Sequence, residues 1–152
     1  MADMLVRLYD LPQTTVDLPK GVAVRRALVA ERHPVTDWVT GHFGRGWADE
    51  CDVAFCRLSI SCFLAVSDGR PVGFCTYDST ARGILGPIGV APSSRDRGIA
   101  RCLLLATLAD MRAQGYAYGV IGWVESPQFF SKTCGATPIE GSEPGLYRGL
   151  VK

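Results

Sequence analysis

Hydrophobic and polar positions alternate in the first part of the chain as half-buried strands require. Two segments show this pattern, residues 4–9 and 22–25, and the polar, turn-rich stretch between them predicts a loop. Apolar positions then recur with helical spacing from 33 to 43, and again from 46 to about 57. The pattern therefore predicts two strands followed by a pair of helices.

A tight hairpin is predicted in the middle of the chain. Two apolar runs, residues 62–66 and 71–77, flank the turn residues Asp68 and Gly69. An Asp-Gly pair between two such runs is typical of a two-residue hairpin turn. We therefore expect these two strands to be antiparallel neighbours.

The next strand, residues 84–90, contains Gly86, Pro87 and Gly89. Glycine and proline weaken a strand ladder, and they often mark a bulge or a close approach by another backbone or a ligand. The sequence thus predicts an irregular strand at a position where strands usually form the core.

A long helix over residues 99–113 follows, with Ser93 and Ser94 as candidate N-caps and Gly115 as its stop. The apolar run 120–124 then predicts a buried strand.

Pro127 is placed to open a short helix over 128–134, and residues 138–140 and 146–150 predict two short final strands. Early hairpins and a late strand–helix–strand unit indicate an α+β fold, with a mainly antiparallel sheet and one parallel crossover. We expect a single domain over residues 1–152.

Composition narrows the function classes. The chain has 152 residues, 47% hydrophobic and 20% charged, with a formal net charge of +1. A nearly neutral chain offers no electrostatic basis for binding nucleic acid or an anionic membrane, so we expect neither partner.

The six cysteines of the chain form no Cys-x-x-Cys pair and have no histidine set beside them, so we expect structural thiols and no metal site. The first residues resemble no secretory signal, and we expect a cytoplasmic protein.

Chemistry is concentrated in the turn between the irregular strand and the long helix. Helix-start amides lack internal partners and the helix dipole adds positive charge, so such a turn binds phosphates. Gly98 lets a pyrophosphate approach without a Cβ in the way, and Ala100 keeps the next turn small. Arg95, Arg97 and Arg101 add possible charge-assisted contacts.

In this turn Val90-x-Pro92 is followed by Arg95-x-x-Gly98-x-Ala100. That arrangement resembles the Gln/Arg-x-x-Gly-x-Gly/Ala motif of the GNAT superfamily of N-acetyltransferases. The triple-glycine dinucleotide motif is absent, so acyl-CoA is favoured over a dinucleotide.

The resemblance covers nearly the whole chain. Residues 22–27 resemble the family's first strand and its lead into the helical pair, and residues 129–136 resemble its last helix. It implies a mixed, mainly antiparallel sheet flanked by helices in three layers, with a bulged strand splayed from its neighbour. Pantetheine lies in that V-shaped slot and pairs with the bulged strand.

The resemblance also implies acetyl-CoA as acyl donor. Its implied binding residues lie on the irregular strand, the turn and the last helix: Ile88, Gly89, Val90, Arg95, Asp96, Arg97, Gly98, Ile99, Ala100, Arg101 and Phe130.

Many relatives carry a general-acid tyrosine on the last helix. Here the comparable position is Phe130 or Ser131, depending on how the helix is aligned. Phe130 cannot donate a proton, Ser131 could do so through water, and Tyr147 is a more distant candidate. An amide near residues 88–90 would polarise the thioester carbonyl.

Glu125 is the first candidate for the general base, because it is predicted to end a strand at the mouth of the slot; Asp78 is the second. His33 and His42 have no carboxylate partner nearby in sequence and are predicted to be surface residues.

We therefore expect an acetyl-CoA-dependent N-acyltransferase whose acceptor, a small-molecule or peptide amine, attacks directly in a ternary complex. The alternative is a non-catalytic acyl-CoA-binding module of the same fold. We expect a monomer or homodimer, and the strand around residues 5–9 could pair with the sheet edge of another subunit.

Overall fold

The computed structural model describes residues 1–13 and 15–152, in which a seven-stranded sheet is combined with four α-helices. The strands are β1 (Met4–Arg7), β2 (Val22–Arg26), β3 (Cys62–Ser67), β4 (Arg70–Tyr77), β5 (Ile84–Val90), β6 (Tyr118–Ile121) and β7 (Thr137–Pro138). The helices are α1 (Arg32–Phe43), α2 (Arg45–Phe55), α3 (Ile99–Ala113) and α4 (Pro127–Cys134). Short 3₁₀ turns cover Leu8–Asp10, Val29–Glu31, Pro92–Ser94 and Gly145–Tyr147.

The strand order across the sheet is β2-β3-β4-β5-β6-β1-β7. Neighbouring strands are antiparallel except for β5 and β6, which are parallel and are joined through α3. The predicted α+β fold with one parallel crossover is confirmed.

Helices cover both faces of the sheet. One buried cluster lies between the sheet and α3 with α4, and a second lies between the sheet and the α1–α2 pair. Members of the first cluster include Val6, Leu8, Leu85, Leu103, Leu104, Leu108, Met111 and Phe130. Members of the second include Val35, Val39, Cys51, Phe55, Leu64 and Phe74. These two cores form the three-layer sandwich that the family resemblance implied.

The β3–β4 hairpin turns at Asp68 and Gly69, whose φ angles are 49° and 71°. Positive φ at both central positions is the signature of a type I′ turn, whose twist matches that of the flanking strands. Ser67 pairs with Arg70 across the turn, so the hairpin prediction is confirmed.

β5 is bulged against β4. The register slips between Cys75 and Tyr77, so Thr76 faces both Gly86 and Pro87. The Thr76 hydroxyl donates to the Gly86 carbonyl oxygen at 2.8 Å, and Gly86 has a φ of 131°, which strongly favours glycine. The irregularity predicted from the glycines and the proline is present.

β5 also separates from its other neighbour. It pairs with β6 only through Ile84 with Val120 and Leu85 with Ile121. Beyond Leu85 the two strands part, and the backbone of β5 loses its ladder partner on that side. This splay opens the slot that the family resemblance implied.

Three element predictions near β6 and the end of the chain are corrected, two in their bounds and one in its type. The strand predicted over 120–124 ends at Ile121, because Trp123 adopts a positive φ of 48°. The strand predicted over 146–150 is a 3₁₀ turn at Gly145–Tyr147, where Gly145 has a φ of 57°. The strand predicted over 138–140 is the two-residue β7.

Two further expectations are corrected by long-range contacts and backbone geometry. β1 lies between β6 and β7: Met4 and Leu5 pair on both sides, Val6 and Arg7 pair with β6 alone, and Leu8–Asp10 is a 3₁₀ turn, so the edge left to another subunit is shorter than predicted. Ser93 and Ser94 do not cap α3, because they form a separate 3₁₀ turn. The N-cap is Gly98, whose φ of 79° gives the chain the sharp turn into the helix.

Candidate active site

A cavity of about 930 Å³ occupies the slot between the separated strands. Ile84–Val90 of β5 lines one side, and residues 121–126 line the other. The first turn of α3 closes one end, and Phe129 and Phe130 of α4 contribute to the wall. The bulge and the splay together create a space that a regular sheet would not have.

The start of α3 forms the first end of the cavity, which we call the phosphate end (Ser94, Arg95, Asp96, Gly98, Ile99, Ala100 and Arg101). The amide of Cys102 donates to the Gly98 carbonyl at 3.1 Å, which is the first bond of the helical ladder. The amides of residues 99–101 therefore lie ahead of that ladder, where a helix binds anions. Nε of Arg95 donates to the Val90 carbonyl oxygen at 3.1 Å and ties this turn to the end of β5.

The structure brings the predicted cofactor-binding residues together. All of them line the cavity except Arg97, whose side chain lies outside it on the exposed turn. Separate segments of sequence, at residues 88–90, 95–101 and 130, thus meet in one place.

The Phe43 ring leaves no space for a side chain at position 89, where the chain has glycine. A Cβ built on Gly89 would lie 2.7 Å from Cζ of Phe43, so the ring packs directly on bare backbone. Phe43 in turn stacks on Trp47, with centroids 5.2 Å apart. The sequence indicated a close approach at this glycine, and the approaching group is an aromatic side chain of α1.

The two residues proposed for proton donation on α4 have different surroundings. Phe130 is buried and lines the cavity. Ser131 does not line it, and its hydroxyl donates to the Ala136 carbonyl oxygen at 2.9 Å. The structure therefore does not bring Ser131 to the site.

Of the two candidate bases, only Glu125 reaches the cavity. It lies beyond the end of β6, just ahead of α4, and is exposed. The carboxylate of Asp78 is used elsewhere, since it accepts from the Tyr116 hydroxyl and the Gly83 amide, each at 2.7 Å. These bonds turn the Asp78 carboxylate toward Gly83 and Tyr116, and Asp78 does not line the cavity although Thr80 of the same loop does, so Asp78 is not placed to act as the base.

The sequence analysis did not predict which residues meet at the opposite end of the cavity. We call it the aromatic end; its members are Met1, Trp47, Glu50, Thr80, Trp123 and Tyr147. The Thr80 hydroxyl donates to Oε1 of Glu50. Burial, together with the negative charge of Glu50, raises the pKa of Tyr147, which therefore stays protonated at neutral pH. Tyr147 was a candidate proton donor from sequence, but the grouping itself could not be predicted, because these residues come from segments far apart in the chain.

The N-terminal segment forms hydrogen bonds to the loop after β6, which carries Trp123 of the aromatic end. Oδ1 of Asp3 accepts from the Trp123 amide at 2.8 Å, and the Val124 amide donates to the Ala2 carbonyl oxygen at 3.2 Å. These bonds hold the loop after β6 in its positive-φ turn.

Other reactive side chains lie away from the cavity. His33 and His42 are exposed and do not line it, and Nδ1 of His42 lies 2.9 Å from the Trp38 carbonyl oxygen. Burial raises the pKa of Cys75 to about 12 and that of Cys134 to about 11, so neither thiol is a nucleophile at neutral pH.

Residues 1–13 and 15–152 contain no group of three or more His, Cys, Asp or Glu placed to hold a metal ion. Within the same residues, no helix has the length and apolar character needed to span a bilayer.

Comparison with protein families gives a match over most of the chain. The model of the Acetyltransferase (GNAT) family matches residues 32–135, which include the helical pair, the slot and α4. The chain belongs to the GNAT family. The members of this family are acyltransferases. No curated protein matches the chain.

Solved GNAT structures share its fold. A GCN5-related N-acetyltransferase from Sphaerobacter thermophilus has a TM-score of 0.65 at 22% identity, over 91% of this GNAT chain and 48% of its own. One from Kribbella flavida has a TM-score of 0.55 at 20% identity, over 90% and 53%. The glucosamine N-acetyltransferase region of a fungal multi-domain β-N-acetylglucosaminidase has a TM-score of 0.71 at 14% identity, over 91% and 19%. The chain thus spans at most about half the length of these proteins.

Proposed function

We propose that this GNAT chain transfers an acetyl group from acetyl-CoA to an amine, by direct attack in a ternary complex. The observation that carries the proposal is one continuous cavity. It joins an anion-binding helix start to a slot along an unpaired strand, and then to a second end lined by aromatic and carboxylate groups. A nucleotide pyrophosphate, an extended thiol arm and an acceptor need these three environments in this order.

The phosphate end suits the pyrophosphate of CoA. The amides that start α3 supply hydrogen bonds, and the left-handed conformation of Gly98 sets the turn that presents them. Arg101 and Arg95 line the same end and add positive charge. An Escherichia coli GNAT family N-acetyltransferase, solved in complex with CoA, has a TM-score of 0.50 at 17% identity and covers 69% of this chain and 63% of its own.

The strand edge suits the pantetheine arm. Past Leu85 the side of β5 that faces the slot has no ladder partner among the described residues, so its amides and carbonyls, apart from the Val90 carbonyl that accepts from Arg95, are open to an extended amide chain. A backbone amide near Ile88 to Val90 is then placed to polarise the thioester carbonyl.

In the transfer itself, the neutral amine nitrogen attacks the thioester carbonyl carbon and a C–N bond forms. The C–S bond breaks, the acetamide is released, and the CoA thiolate takes up a proton. We assign removal of the amine proton to Glu125, which lines the cavity at the mouth of the slot. Tyr147, whose pKa is raised, is a protonated hydroxyl in the same cavity and is our candidate for the proton donor.

A non-catalytic acyl-CoA-binding module is the second candidate function. It is favoured by one observation, because Phe130 lines the cavity where the family resemblance implies a tyrosine, and the Ser131 hydroxyl is bonded away from the cavity. Such a module would share the phosphate end and the slot and lack turnover.

Two measurements on the same sample separate these functions. Acetyl-CoA should raise the melting temperature of the protein while NAD leaves it unchanged, because only a ligand of the folded state stabilises it. A thiol-release assay with acetyl-CoA and a panel of amines then reads turnover. A thermal shift with thiol release supports the transferase, and a shift without release for any amine supports the module. No shift with acetyl-CoA at millimolar concentration would overturn both.

A further inference from the structure

The cavity is electrostatically divided along its length. Arg95 and Arg101, the arginines among its described lining residues, belong to the phosphate end and outnumber the Asp96 carboxylate that lies there with them. The aromatic end carries the carboxylate of Glu50 instead. Met1 also lines this end, and its amino group is paired with the Glu143 carboxylate. One end is therefore suited to anions and the other to a cation.

Large ring surfaces are left uncovered at the aromatic end. Trp123 is 50% exposed and Trp47 is 38% exposed, although both line the cavity. The Trp123 ring rests on Tyr147 at a centroid distance of 4.9 Å, and the Trp47 ring rests on Phe43. Ring packing thus fixes the orientation of both indoles and leaves part of their surface for a ligand.

Glu50 is oriented within this group. It lies on α2, one helical turn after Trp47, so both side chains lie on the same face of the helix. The Thr80 hydroxyl bonds to Oε1 from the opposite loop. A carboxylate fixed beside aromatic rings is a general recognition device for ammonium groups, since the ring faces attract cations and the carboxylate neutralises them.

We propose that the aromatic end binds the acceptor as a primary alkylammonium that carries no carboxylate next to its amine. This assignment rests on the proposed acetyl transfer and names the chemical class of its acceptor. Glu50 pairs with the ammonium group, and Trp47 and Trp123 cover its cationic and apolar parts. An α-carboxylate would be desolvated beside Glu50, and the arginines that line the cavity lie at the far end.

A matched pair of acceptors tests this specificity. 2-Phenylethylamine and phenylalanine differ only by the α-carboxylate, and both are offered with acetyl-CoA in the thiol-release assay. We expect kcat/KM to be at least tenfold higher for 2-phenylethylamine. Equal values, or a preference for phenylalanine, would overturn the assignment and leave acetyl transfer intact.

Variants then test the named residues. Glu50→Gln should raise KM for 2-phenylethylamine at least tenfold, with the calorimetric affinity for acetyl-CoA unchanged, and Trp123→Leu should act in the same direction. Asp49→Asn is the matched control, because Asp49 is the next residue on α2, is exposed, and lines a separate groove with Thr36 and Thr40. An unchanged KM in Glu50→Gln would contradict the proposal.

Calorimetric titration of 2-phenylethylamine into the CoA-loaded protein keeps the test independent of turnover. If the parent chain binds 2-phenylethylamine and Glu50→Gln weakens this binding at least tenfold, the aromatic end is supported as an ammonium site even when no thiol is released. Absence of binding to a protein that does bind CoA would contradict the ammonium site alone.

Discussion

The ring of Trp123 rests on the ring of Tyr147, with centroids 4.9 Å apart and planes inclined by 33°. Trp123 follows β6 and Tyr147 ends a 3₁₀ turn near the C-terminus, so the pair joins two loops into one wall of the cavity. Asp3, from the start of the chain, holds the same wall through the Trp123 amide. Segments from both ends of the sequence thus build the aromatic end.

Asp3 is expected to act as a positioning residue for this wall. Asp3→Ala removes the acceptor of the Trp123 amide; because this bond is exposed to solvent, we expect it to contribute about 1 kcal/mol, below the range of buried bonds to charged groups. We expect KM for the amine to rise about threefold to tenfold, with the affinity for acetyl-CoA unchanged. Steady-state kinetics and calorimetry measure the two values.

Asp3→Asn is the control, since its amide oxygen can still accept from the Trp123 amide. It should behave closer to the parent chain than Asp3→Ala does. Equal KM values for the parent chain and Asp3→Ala would remove Asp3 from this role.

Gly89→Ala should lower stability because it drives a methyl group into the Phe43 ring, 2.7 Å from its Cζ atom. Overpacking of this kind costs about 1–3 kcal/mol, which thermal or urea unfolding can measure. Gly41→Ala is the matched control: Gly41 lies within α1 with open space around it, and alanine there should stabilise by about 0.5–1 kcal/mol. A Gly89→Ala protein as stable as the parent would show that the ring moves freely from the strand.

The pH dependence of stability should carry a contribution from Glu31. The Arg25 guanidinium, with further help from the Leu28 amide, lowers the pKa of Glu31 below its ordinary value. Because the folded-state pKa lies below the unfolded one, the carboxylate stabilises the fold above about pH 4.3 and loses this effect as pH falls through the folded pKa.

Glu31→Gln should therefore be less stable than the parent near neutral pH, by about 0.5 kcal/mol for a pair this exposed. The gap in melting temperature should close as the pH is lowered below 4, and should shrink in 1 M salt. A gap that stays constant from pH 7 to pH 3 would contradict the ion pair as its source.

Glu125→Gln should lower kcat for acetyl transfer by about 100-fold at neutral pH, because it removes the proposed proton acceptor. Acetyl-CoA affinity should stay nearly the same. The pH–rate profile is the informative readout, with Glu140→Gln, an exposed glutamate that does not line the cavity, as control. Identical profiles for Glu125→Gln and the parent would leave the amine to lose its proton to water.

Local signals explain which parts of the fold the sequence could predict. The hairpin turn requires positive φ at two positions, which Asp68 and Gly69 tolerate better than other residues, and Gly86 with Pro87 marks the bulge. These effects act within a few residues and are visible in the sequence. The turn into α3 shows the opposite case: two serines suggested a side-chain cap, but the left-handed Gly98 takes that position.

Long-range placement explains what the sequence could not predict. The apolar alternation of β1 indicates a strand but does not specify its neighbours in the sheet, β6 and β7. Likewise, Glu50, Thr80 and Trp123 carry no shared motif, and only the folded sheet brings them to one cavity. The phosphate end was predictable because its residues are consecutive in the chain.

Titration calorimetry of acetyl-CoA into the folded parent chain, Gly98→Val and Gly149→Val tests the cavity as an acetyl-CoA site most directly. Both glycines have positive φ, 79° and 76°, but only Gly98 lies at the phosphate end. We expect binding to the parent chain, at least tenfold weaker binding to Gly98→Val, equivalent to about 1.4 kcal/mol, and unchanged affinity in Gly149→Val. Absence of binding to the parent chain, or equal affinity in Gly98→Val, would contradict acetyl-CoA binding at this site.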